Sequence, residues 1–172
     1  MEIDRKTLPL LIIIVFVALG GFFYWDNLIK KQNKSKEGVN VGETVPDFNF
    51  QDVEGETFSF IDFKGKLLII DFMAPWCNPC KEQLQVLREI NELHDVKIVT
   101  INVDPRYDQA FLQDFKKDYQ IEWYFVHSPE AGVDYEVNAV PSILLVDKEG
   151  TIVYRNYYTS LMNFEQLFEE YG

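Results

Sequence analysis

Cysteine is nearly absent from this chain of 172 residues, which holds two, Cys77 and Cys80. So few exclude a disulfide-stapled mini-protein and a four-cysteine zinc site. Histidine is equally scarce. His94 and His127 are the only two, each isolated near the end of an expected element, where a surface or capping role suits them better than metal ligation. No metal site is therefore expected. Basic charge is short as well: 16 Lys and Arg stand against 28 Asp and Glu, a net charge of -12. That balance argues against a nucleic-acid partner. The deficit is uneven, because residues 1–37 carry net +2 and residues 38–172 net -14. Long apolar runs are missing beyond one near the N-terminus, which excludes a multi-span membrane protein.

That one run is residues 8–25, LPLLIIIVFVALGGFFYW, without a charged side chain. As a helix it would be roughly 27 Å long, enough to cross a bilayer core. Phe22, Phe23, Tyr24 and Trp25 gather at one end, where aromatic rings favour the headgroup boundary. The expected organisation is a tail (1–7), a transmembrane signal anchor (8–25), a polar tether (26–42) and one folded domain (43–172). Cleavage after the small residues of Ala18-Leu19-Gly20 is the alternative, but it would leave an apolar N-terminus exposed. Orientation is contested. Arg5 and Lys6 precede the run while Lys30, Lys31, Lys34 and Lys36 follow it, so lysine and arginine counting alone would keep the domain in the cytoplasm.

Within the domain, residues 48–60 alternate around Glu54-Gly55 as a hairpin does. LLIIDF (67–72) is an apolar run suited to a central strand covered on both faces. Leu84, Leu87, Ile90 and Leu93 recur at helical spacing from Cys80 onward. A strand at 96–103, a helix with Phe111, Leu112, Phe115 and Tyr119, and a third strand at 121–126 follow. After a short Pro-Glu segment come strands at 142–146 and 151–155, and then a helix striped by Phe164, Leu167, Phe168 and Tyr171, entered through Asn163 with Gln166 completing a capping box. Strands alternating with helices and ending in a hairpin predict an α/β fold with a central mixed sheet flanked by helices.

The chemistry centres on Trp76-Cys77-Asn78-Pro79-Cys80, where a buried-type strand gives way to a helix. At a helix N-terminus unpaired N–H groups and the macrodipole favour an anion, so the first thiol's pKa can fall from about 8.5 into a range of roughly 3.5 to 7.5. Cys77 is thus the expected nucleophile. Cys80, nearly one turn on, faces inward and is placed to resolve a mixed disulfide or close the oxidised form. Pro79 falls in the first turn, where its missing N–H costs little and its fixed φ stiffens the loop. A purely structural bridge is the bland alternative, yet so short a loop removes little unfolded-chain entropy.

Asp71, Trp76, Cys77, Pro79 and Cys80 together resemble the pattern of thioredoxin-fold thiol-disulfide oxidoreductases, and YEVNAVPS at 135–142 is similar to their second motif. Residues 46–66 and the extra helix and strand between Val103 and Val126 look like the membrane-anchored TlpA-like branch, which includes cytochrome c maturation thioredoxins. The resemblance covers about residues 43–172 and implies a thioredoxin-like fold with an N-terminal hairpin and an inserted helix and strand. It implies a cis bond before Pro141, and substrate binding by Trp76, Val140 and Pro141 beside the loop residues Asn78 and Pro79. It also implies a proton-accepting role for Asp71, whose alternative is a solvated carboxylate at a strand edge. No cofactor is implied beyond the Cys77–Cys80 pair. The partners expected are disulfide-containing client proteins and a membrane electron donor, with the catalytic domain monomeric and outside the cytoplasm.

Two departures sharpen the expected activity. Pro75 looks more like protein disulfide isomerases, yet their histidine between the cysteines is replaced by Asn78-Pro79, which favours a reductant over an oxidase or isomerase. A peroxiredoxin would need Thr or Ser three residues before its reactive cysteine, where this chain has Ala74. A non-enzymatic binding module of the same fold is the remaining alternative.

Overall fold

The structure, a computed structural model, describes residues 36–172. The expected anchor at 8–25 and most of the tether lie outside the described residues. Among the described residues no helix is long and apolar enough to cross a membrane.

Chain order is β1 (Asn49–Gln51), β2 (Thr57–Ser59), a 3-10 turn (Phe60–Phe63), β3 (Leu68–Met73), α1 (Asn78–Leu93), β4 (Lys97–Asn102), α2 (Gln109–Asp118), β5 (Tyr124–His127), α3 (Pro129–Asp134), β6 (Ser142–Val146), β7 (Ile152–Asn156) and α4 (Leu161–Tyr171). Five strands form one sheet in the order β5-β4-β3-β6-β7, and β1 pairs with β2 separately. β3 runs parallel to β4 and β4 to β5, each pair joined by a helical crossover, whereas β6 and β7 are antiparallel additions. This is the expected mixed sheet, and the chain has the thioredoxin-like fold.

β3 lies at the centre and is buried throughout. Alternation sends Ile69, Asp71 and Met73 to one face and Leu68, Ile70 and Phe72 to the other. The first face packs on α1 through Leu84, Leu87 and Ile90, with Phe115 of α2 and Phe164 of α4. Each of the three aliphatic side chains of α1 is fully buried, worth about 1.5–3 kcal/mol. The second face is covered by Phe50, Phe58, Phe60 and Phe63 from the hairpin region and by Tyr135. Tyr135 is buried there with its hydroxyl donating to Pro46 O at 2.9 Å.

Three boundaries differ from the sequence reading. α4 begins a turn earlier than Asn163, because the Ser160 hydroxyl accepts the Asn163 N–H and caps the helix at Leu161. The third strand starts at Tyr124 rather than residue 121, since Ile121 is tied back to Lys116 O and Trp123 turns into the first core. Residues 36–42, part of the stretch read as tether, loop against β7: Gly42 N donates to Ile152 O, Val39 is buried, and Arg155 Nη1 donates to Val39 O.

Candidate active site

β3 ends at Met73 and the turn Ala74-Pro75-Trp76 delivers Cys77 to the N-cap of α1. Cys77 N–H donates to Ala74 O at 2.9 Å, closing that turn. The Cys77 Sγ accepts the backbone N–H of Cys80 at 3.1 Å, the bond a capping serine oxygen would make. A thiolate at this sulfur would keep that donor and gain the helix dipole, which is the physical basis for a nucleophile here. Asn78 and Pro79 occupy the first helical positions, where a missing N–H leaves nothing unpaired.

The two sulfurs form a disulfide across a Cα–Cα distance of 5.3 Å. Cys77 is 3% exposed and Cys80 0%, so an incoming sulfur can meet only Cys77. The Val140–Pro141 peptide is cis, as expected, and Val140 O lies 3.6 Å from Cys77 Sγ. The segment before β6 therefore sits against the outer sulfur. Val140 is half-buried and Pro141 buried.

Trp76 is exposed, and its indole Nε1 donates to Asp104 Oδ2 at 2.7 Å. Asp104, just past β4, is also clasped by the Arg106 guanidinium, which together with the indole holds its carboxyl well below the usual carboxylate range. Asn102 fixes the loop in turn, its Oδ1 accepting Asp104 N–H and its Nδ2 donating to Asp104 O. Asp104 is not among the residues that the sequence singles out. Its one signal is its position after a buried strand parallel to the cysteine-bearing one, where the carboxyl ends of strands assemble sites.

Asp71 is fully buried, which removes the alternative of a solvated carboxylate. Its Oδ2 accepts the Thr100 hydroxyl at 3.1 Å, while Oδ1 finds no partner among the described residues. Burial pushes its pKa up to about 7, against the opposing pull of the Thr100 hydrogen bond. The carboxyl can thus hold or release a proton near neutrality.

One turn beyond Cys80, Gln83 is buried and exchanges two hydrogen bonds with the backbone of Thr159: Nε2 to Thr159 O at 3.0 Å, and Thr159 N to Oε1 at 2.8 Å. This pair, unseen in the sequence, ties the cysteine helix to the loop before α4. His94 pairs with Glu165 at 3.0 Å and His127 Nδ1 meets Asn102 Nδ2 at 2.9 Å, so the hydrogen-bond partner of neither is a cysteine. Glu82 is exposed. No cluster of three His, Cys, Asp or Glu side chains able to hold a metal occurs among the described residues.

Comparison with known proteins agrees with this geometry. The AhpC/TSA family matches residues 41–155. The thiol:disulfide interchange protein DsbE of Vibrio cholerae is 30% identical over 159 residues, covering 88% of this chain and 85% of its own. The thiol-disulfide oxidoreductase ResA of Bacillus thuringiensis is 24% identical over 156 residues, covering 89% and 88%. Among solved structures, the thioredoxin domain of a thiol-disulfide oxidoreductase from Bacteroides vulgatus aligns with a TM-score of 0.65 at 23% identity, over 78% of this chain and all of that one. The chain therefore belongs to the AhpC/TSA family and is a thiol-disulfide oxidoreductase of the thioredoxin fold.

Proposed function

We propose that this oxidoreductase is a dithiol reductant of disulfides in proteins outside the cytoplasm, tethered to the membrane by residues 8–25 and recharged by a membrane electron donor. The observation that carries the direction is the setting of Cys77. Its sulfur is served by one backbone N–H and a helix terminus, with Asn78 and Pro79 as the intervening pair and no cationic side chain between the cysteines. A protonated histidine there would stabilise the reduced form and make the pair oxidising. Without one, electrons leave the dithiol more readily.

In the forward reaction the Cys77 thiolate attacks a client disulfide, forming a Cys77–client bond as the client's own S–S bond breaks. Cys80 then gives its proton to Asp71 and attacks Cys77 Sγ, expelling the second client thiolate and leaving the Cys77–Cys80 disulfide. Two electrons pass from the dithiol to the client, so no further cofactor enters. Trp76 and the Val140–Pro141 segment flank the outer sulfur and would hold the client chain.

Extracytoplasmic placement reads the uncharged apolar run at residues 8–25 as an uncleaved signal anchor, against the lysine count after it. A membrane-impermeant maleimide applied to intact cells after mild reduction tests it. Cys77 should label without lysis; labelling only after lysis would overturn the topology.

A further inference from the structure

On the β3 face that packs against α1 and its two cysteines, between Ile69 and Met73, three buried polar side chains form a one-way chain. Trp123 Nε1 donates to Thr100 Oγ1 at 2.9 Å, and Thr100 Oγ1 donates to Asp71 Oδ2 at 3.1 Å. Direction is fixed by chemistry. An indole N–H can only donate, and a hydroxyl has a single proton. With Trp123 occupying one lone pair, the Thr100 proton is sent to Asp71. The cross-strand register aids this, because Thr100 lies directly opposite Asp71 in the β3–β4 ladder. It also accounts for residues 121–123 leaving the sheet: Trp123 turns inward to reach Thr100.

The chain makes the two oxygens of Asp71 unequal. Oδ2 receives a donor. Were Oδ2 itself protonated and donating, Thr100 would have both lone pairs filled and its own proton would lose its acceptor inside the core. The proton of the neutral acid therefore belongs on Oδ1, the oxygen without a partner among the described residues.

We propose that Thr100, oriented by Trp123, is the positioning residue that reserves Oδ1 of Asp71 for the proton released by Cys80, and that it thereby sets the pH range in which the resolving thiol is activated. This rests on Asp71 being the proton acceptor. In that step Cys80 loses H⁺ to Oδ1, the Cys80–Cys77 S–S bond forms, and the bond from Cys77 to the client breaks.

Few other charges intervene. On the same face α1 brings the two cysteines at its start and Arg88, whose Nη2 donates to Tyr119 O; the rings of Tyr107, Tyr119, Tyr154 and Tyr171 pack, partly buried, against this core. From α2, Lys116 is engaged by Asp52 and Glu54; from α4, Glu165 is paired with His94; and from β6 the neighbour in register with Asp71 is Ile143. No charged side chain among the described residues contributes to the shift at Asp71; burial and Thr100 account for it.

The test is stopped-flow reaction of the reduced full-length protein with 5,5′-dithiobis(2-nitrobenzoate) across pH 5–9. The second thionitrobenzoate appears only when Cys80 attacks. Losing a hydrogen bond to the carboxylate disfavours the charged form, so Thr100→Val should move the midpoint of this second phase upward by about one pH unit. Thr100→Ser should restore it. Because Thr100→Val orphans the buried indole N–H, the double variant Thr100→Val/Trp123→Phe guards against misfolding and should show the same shift. Trp123→Phe alone should shift it less, in the same direction. Asp71→Asn should slow the second phase and make a further Thr100→Val change without effect. Coincident midpoints for wild type and both Thr100→Val variants, with Asp71→Asn still slow, would overturn the role of Thr100 while leaving Asp71 as acceptor. An unaltered second phase in Asp71→Asn would instead overturn the acceptor role, and the proposal with it.

Discussion

Replacing Asp71 by Asn should change how stability depends on pH. In the folded protein burial raises the Asp71 pKa to about 7, whereas an unfolded aspartate titrates near about 3.9. Below that lower value both states hold the proton and no difference arises. As pH rises from about 4 to 7 the unfolded chain releases its proton while the folded one retains it, so folding becomes progressively less favourable and then levels off. Three units at 1.36 kcal/mol each amount to about 4 kcal/mol. The Asp71→Asn variant would escape this loss. Its amide can accept from Thr100 but leaves N–H donors unpaired, a pH-independent cost of about 1–3 kcal/mol. The variant should thus be less stable than wild type at pH 4 and more stable, by about 1–3 kcal/mol, at pH 8. Urea unfolding of oxidised residues 36–172, which form one compact unit, would measure the difference at each pH. Subtracting variant from wild type cancels every other titrating group. Curves that stay parallel from pH 4 to 8 would refute the buried, neutral carboxyl.

Cys80→Ser should accumulate a long-lived mixed disulfide with client proteins and Cys77→Ser almost none, checked by non-reducing gels after acid trapping; equal trapping would show that the roles are misassigned. In the reduced wild type, alkylation followed by mass spectrometry should find Cys77 modified well before Cys80, in keeping with their accessibility and with the helix terminus at Cys77. Gln83→Ala should cost about 2–4 kcal/mol in urea unfolding, because both backbone groups of Thr159 lose buried partners.

What can be read in the chain beforehand follows from how locally it is encoded. The run LLIIDF needs two apolar faces to bury, so it names a central strand on its own, and the cysteine spacing names a helix terminus. Partners set by register are another matter. Thr100 meets Asp71 only because β3 and β4 pair in one particular alignment, and Gln83 meets Thr159 across 76 positions. Trp123 reads as one more strand residue. A lone threonine in VKIVTINV, like the lone aspartate in LLIIDF, is the available hint that two polar side chains share a buried face. The misplaced start of α4 has a local cause: Ser160 and Asn163 are both competent caps, and the choice goes to the one whose hydroxyl meets the N–H three residues on.

In the proposed direction, electrons flow from the Cys77–Cys80 pair to the client. Equilibrating the full-length protein with glutathione buffers of graded ratio, and counting oxidised and reduced forms by mass after alkylation, measures it directly. A reductant should give a potential below about -200 mV, toward the thioredoxin end of the scale. A value near about -120 mV, where strong disulfide oxidants lie, would contradict it.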